Sequence, residues 1–161
     1  MGTAAVHLTD ILQEQSELLT RLEQIVSEHR SALFARQPER ADAAEVRLRT
    51  LALRFRMLED ARAQVVDELN EAHGLPPQCQ LAELVRHPDL ASTDLVSAFA
   101  NLRRAAARAV RAGAIHTRFI QRSLEAGEGL RRLFDWAAGG SYTASGDVKA
   151  SEPRTSWEGR A

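Results

Sequence analysis

From Leu95 to Phe134 one seam advances by three or four residues at every step: Leu95, Phe99, Leu102, Ala106, Ala109, Gly113, His116, Ile120, Ser123, Gly127, Leu130, Phe134. That is the period of a helical face, not the alternation of a strand, so the stretch predicts a single long helix. A second stripe repeats at sevens beside it: Ala98, Ala105, Ala112, Phe119, Ala126 and Leu133. The two together give the wide apolar arc of a helix in a bundle. Ser92 or Thr93 can cap its start, and after about Ala138 the pair Gly139-Gly140 stops it.

Two earlier runs carry the same rhythm. The first spans about Thr3 to Arg36, with Leu8, Ile11, Leu18, Leu22 and Ile25 on a seam that also takes the polar Gln15 and His29. Leu12, Leu19, Val26 and Leu33 lie beside it at sevens. Pro38 cannot continue that helix. The second run, about Glu39 to His73, has Ala41, Ala44, Leu48, Leu51, Phe55, Leu58, Val65 and Leu69 in register, interrupted by Arg62. So short a break between such long runs implies an antiparallel hairpin. Gly74 and Pro76-Pro77 end the second run, and Gln80 to Arg86 suits one short helix before Pro88.

The expected fold class is therefore all-α. It is an antiparallel bundle of three long helices with a short connecting helix, occupying residues 1–138 as one domain. Residues 139–161 form a polar tail with three acids and three bases from Ser141 onward. That tail cannot bury enough to offset its ordering entropy and is expected to be disordered.

Composition narrows the function classes. Net charge is −1, which gives no overall pull toward nucleic acid or an anionic membrane. The single cysteine, Cys79, excludes an internal disulfide and suits a reducing compartment. Asp10, Glu14 and Glu17 stand where a signal peptide needs an apolar run. No stretch approaches the roughly 18 apolar residues of a bilayer span, so no direct membrane insertion is expected. The reading is a soluble, cytoplasmic protein.

Chemistry finds little support. The five histidines are scattered, and His73, Cys79 and His87 around the proline-rich break lack the paired spacing of a zinc site. No Gly-rich phosphate loop follows a strand, and no inward Glu-x-x-His pair marks a helical-bundle enzyme. The expectation is a protein that is not an enzyme and carries no cofactor or metal. Between Asp94 and Glu125 the last helix has Arg103, Arg104, Arg108, Arg111, Arg118 and Arg122 and no acid. The first two helices each sum to about −2, so pairing across the bundle is one reading. A basic nucleic-acid groove is the other, though interleaved exposed aromatics and a recognition motif are missing.

Lengths single out one end. At about 1.5 Å per residue the first two helices span about 50 Å and the last about 65–70 Å, so about ten residues should extend past the hairpin. That end holds Leu130, Leu133, Phe134 and Trp136, an apolar cluster of the kind that marks a binding surface. Alternatively the helix bends back, or the short helix covers the cluster. Gly127 and Gly129 weaken the helix there.

The whole pattern resembles the FlgN-type export chaperones of the bacterial flagellum. The opening helix LTDILQEQSELLTRLEQIVSEHRSALFARQPE, the last-helix stretch GAIHTRFIQRSLEAGEGLRRLF and the tail SYTASG carry the likeness, in that order. Gly113 and His116 stand where the family has two asparagines, and Phe119-Ile120 stand for its Leu-Ile. The resemblance implies a chaperone that binds hook-associated proteins of the hook–filament junction and delivers them to the cytoplasmic domain of the export gate. It implies a client surface including Phe119, Ile120, Leu124, Leu130, Leu133 and Phe134, and a gate contact at Tyr142. A tyrosine on a mobile tail can seat its ring in a pocket and hydrogen-bond through its hydroxyl; otherwise Tyr142 packs back on the bundle, or Trp157 is a further anchor. The competing class is a self-associating coiled-coil scaffold, and a homodimer is compatible with either.

Overall fold

The seams become helices between the breakers. The computed structural model describes residues 2–77, 79–137, 141–142 and 148–149. Helix α1 runs Gly2–Phe34, α2 Pro38–Ala72, α3 Leu81–Leu84 and α4 Thr93–Ala137. Met1–His116 form one compact unit and Thr117–Ala161 a second, with α4 contributing to both.

The α1–α2 turn closes by a double C-cap. Gln37 N–H donates to Ala32 O at 2.9 Å and Arg36 N–H to Leu33 O at 3.1 Å. This six-to-one and five-to-two pairing requires a left-handed residue between, and Arg36 supplies it at φ 55°. Pro38 then falls in the first turn of α2, where its missing N–H has no helical partner to lose. Proline thus opens the second helix as well as barring the first. The same motif ends α2: Leu75 N–H donates to Asn70 O at 2.8 Å and Gly74 N–H to Glu71 O at 3.2 Å, around Gly74 at φ 64°.

Antiparallel pairing of the hairpin is set by cross-helix contacts: Glu14 with Arg54, Gln15 with Glu59, and Glu28 with Arg47 at 2.8 Å. Two of the polar interruptions of the apolar seams, Gln15 and Arg62, meet in this layer. The fully buried Gln15 donates through Nε2 to Glu59 at 2.7 Å, and the other oxygen of Glu59 accepts from Arg62 at 2.7 Å. One carboxylate therefore satisfies a buried amide on α1 and a half-buried guanidinium on α2.

The main core of the first unit lies at the α1 N-terminal end. Leu8, Ile11 and Leu12 pack with Val65 and Leu69 of α2, Leu84, Val85 and Leu90 of the connecting segment, and Leu95, Ala98 and Leu102 of α4. Each such leucine contributes about 1.5–3 kcal/mol of burial. The connecting helix is shorter than Gln80–Arg86, but its Leu84 is fully buried and caps the bundle end. A second cluster, Leu18, Ile25, Ala44 and Leu51, holds the hairpin toward its turn. Ser92 Oγ accepts from Leu95 N–H at 3.2 Å and starts α4. Arg108 reaches Glu23 at 3.2 Å and His116 reaches His29 at 3.2 Å, so α4 within this unit runs parallel to α1 and antiparallel to α2.

Of the tail, the described residues are Ser141–Tyr142 and Val148–Lys149, which pair antiparallel with Ser141 opposite Lys149 and Tyr142 opposite Val148. The remainder of the expected disordered segment lies outside the described residues.

The two left-handed caps differ in chemistry, and that generates a prediction. A side chain in this conformation costs about 1 kcal/mol that glycine does not incur. Arg36→Gly is expected to raise the thermal midpoint by a few degrees and Gly74→Ala to lower it by a similar amount, both read by circular-dichroism melts.

Candidate functional site

Past His116, α4 changes character. Phe119 and Ile120 are half-buried, and every side chain from Gln121 to Phe134 is exposed. Leu124 is 64% exposed, Leu130 56%, Leu133 61% and Phe134 73%, so more than half of each lies open to solvent. At about 100° per residue, Phe119, Leu130, Leu133 and Phe134 fall within roughly 100° of arc, with Ile120 and Leu124 on one flank. An arc of that width is what a helix presents to another protein surface. The side chains of Trp136, Tyr142 and Trp157 lie outside the described residues.

The arginines of α4 are only partly used by the bundle. Arg108 is bonded to Glu23 and to Thr20 Oγ at 3.4 Å. Arg104 donates to Asn101 at 2.6 Å, within its own helix, and Arg103 lies over the Phe99 ring at 5.9 Å. Among the six arginines between Asp94 and Glu125, Arg108 is thus the one seen paired with a hairpin carboxylate, fewer than cross-bundle pairing leads one to expect.

The histidines cluster more than their scatter in sequence implies. His29 Nδ1 and His116 Nε2 share a hydrogen bond at 3.2 Å, with the rings edge to face. The signal was present: both occupy polar positions on otherwise apolar seams. Burial, then His29, then the Arg30 guanidinium hold the His116 imidazole below its ordinary value of 6.5. At the other end of the first unit His73 and His87 stack edge to face at 5.7 Å, and His73 Nδ1–H donates to Leu69 O at 3.0 Å. Among the described residues no three His, Cys, Asp or Glu side chains converge as a metal site. Burial and the neighbouring Glu83 push the Cys79 thiol up, which keeps it protonated rather than nucleophilic.

The His116 environment gives a signed pH dependence. A histidine depressed in the fold binds its proton more weakly folded than unfolded. Its contribution is intact above 6.5 and is lost as pH falls through that value toward the lower folded one. Thermal melts at stepped pH should show the midpoint declining through this window, and His116→Gln should flatten the decline. An unchanged slope in that variant would assign the pH dependence to other groups.

The chain meets known proteins at the level of family. Among the described residues, no helix is long and apolar enough to cross a membrane. No curated protein and no solved structure matches the chain. The family model described as FlgN protein matches residues 1–150, which takes in all four helices and the Tyr142 position. By that match the chain belongs to the FlgN family.

Proposed function

We propose that this protein is a flagellar type III secretion chaperone that holds hook-associated proteins in the cytoplasm and hands them to the cytoplasmic domain of the export gate. Membership of a family of flagellar export chaperones supports the general role. The observation that carries the client-binding part is the exposed apolar arc of Leu124, Leu130, Leu133 and Phe134. Phe119 and Ile120 extend that surface toward His116. Sequestering a partner's apolar terminal segment needs surface of this kind and no chemistry, so the protein acts by binding rather than by catalysis. Tyr142 is the gate contact in this reading, with the helical arc and the tail serving two partners in turn. A single ring in a short segment gives weak, reversible attachment, which delivery requires.

A second reading has its own observation. Val46, Leu53 and Met57 of α2 are exposed and spaced by seven and four, one face of that helix. That face favours self-association, as a homodimer of the chaperone or as a scaffold with no export role. Gel filtration of the chain with and without a purified hook-associated protein separates the cases. A complex supports the chaperone; a stable oligomer that ignores the hook-associated protein supports the scaffold.

Because Leu130 and Phe134 are exposed, Leu130→Ala with Phe134→Ala should leave the melting temperature unchanged. Client affinity should fall by about tenfold or more, measured by titration calorimetry. A drop of many degrees in melting temperature would make this end core instead. Tyr142→Ala should leave client affinity alone while secretion of the client falls; equal loss of both would remove the division into two contacts.

A further inference from the structure

A groove of about 770 Å³ opens where the first turns of α1 meet the segment leading into α4. One face of α1, including Ala5, Val6 and Asp10, forms one wall, and Asp89, Leu90 and Asp94 form the other. The groove has an apolar strip and three exposed carboxylates, and neither arginine nor lysine lines it. His73, whose Nδ1 is already bonded to Leu69 O, is its one titratable base.

What distinguishes this groove is that its three carboxylates converge on one apolar strip with no cation in the lining. Six acids of the first unit pair with arginine: Glu14 with Arg54, Glu17 with Arg21, Glu23 with Arg108, Glu28 with Arg47, Glu45 with Arg49 and Glu59 with Arg62. Among the described residues Asp10 and Asp94 have no such partner, and Asp89 has only the imidazole of His87 at 4.0 Å. Asp94 also favours the N-terminus of α4, which accounts for its charge but not for the groove. Asp10 stands well inside α1 and Asp89 precedes α4, so neither has that explanation.

We infer that this groove docks a basic amphipathic segment of a partner protein, seating an aliphatic side chain against Val6 and Leu90 between arginines or lysines that pair with Asp10, Asp89 and Asp94. The occupant follows from charge complementarity: a cationic ligand supplies what the lining lacks, and the apolar strip selects a peptide over a bare polycation. All lining residues belong to the first unit, and neither Tyr142 nor any residue of the proposed client surface is among them. The site is therefore additional to the client and gate contacts and does not depend on that assignment.

The test uses the full chain and a fluorescein-labelled peptide of about 15 residues, with a leucine stripe flanked by arginines at helical spacing, followed by fluorescence anisotropy. The peptide should bind, and more weakly as salt rises. Replacing its arginines by glutamine, or its leucines by serine, should each weaken binding about tenfold. Asp10→Asn with Asp89→Asn should do the same without shifting the melting temperature, since both side chains are exposed. Val6→Arg places the chain's own cation in the groove at another exposed position and should abolish binding. No binding, equal binding by these variants, or equal binding of the leucine-free peptide would each overturn the proposal. The last outcome, together with displacement by spermine, would identify a simple polycation site. No hook-associated protein enters the assay, so its failure leaves the export reading untouched.

Discussion

A single offset between α1 and α4 organises the first unit. His29 meets His116 across 87 positions, and Arg108 meets Thr20 and Glu23 across 88 and 85. Three contacts with nearly one separation mean two parallel helices held in one register. Helix α1 ends at Phe34, five residues beyond His29, and His116, the last of these contacts on α4, is also the last residue of the first unit. In the second unit, every side chain of α4 from Gln121 to Phe134 is exposed. His29–His116 is thus the last contact of that register within the first unit.

The register itself rests on polar groups placed where apolar ones would pack. Gln15 is fully buried, and its Oε1 has no partner among the described residues. Such an orphan costs about 1–3 kcal/mol, so burying the amide gains nothing over a leucine in burial terms. Its effect is selective: sliding the hairpin by a turn would take Nε2 from Glu59 and Glu59 from between its two donors, leaving a carboxylate beside apolar surface. A uniform leucine seam would tolerate that slip more readily. Asn70 works similarly at the bundle end, donating to Cys79 O at 3.4 Å and tying α2 to the connecting segment.

Periodicity made most of the helical architecture legible. The three seams, the stop at Gly74 and the cap at Ser92 all depend on local chemistry, which a sequence displays directly. What was hidden depends on residues far apart in the chain. Arg36 gives no local sign of a left-handed cap, since glycine is the usual occupant and only the tight return to Pro38 forces it. Arg62 and Gln15 were visible as interruptions, but that one carboxylate, Glu59, answers both is a property of the pairing. The half-used arginines of α4 and the unpaired acids of the groove belong to the same class. Counting charges along a helix does not tell which ones a neighbouring helix can reach. Leu130, Leu133 and Phe134 were legible as apolar residues on one helical face, and their exposure is what the structure adds.

The glycines of α4 bear on how its exposed stretch can work. A Cβ built at Gly127 or Gly129 meets no heavy atom within 4 Å, so packing does not demand glycine at either place. Each lowers helix stability by about 1 kcal/mol relative to alanine, and here no tertiary contact offsets the loss, because the surrounding side chains are solvent-exposed. Two such positions two residues apart put a weak helical stretch directly before Leu130, Leu133 and Phe134. A rigid surface would present these side chains in one arrangement; a weak helix can bend or re-register, which suits the proposed capture of an apolar segment. In the proposed complex the free energy of ordering that stretch would be drawn from the interface, lowering affinity and speeding release. A factor that must give up its cargo is served by that trade, and the same weakness would be a defect in a helix whose only task was to complete the core.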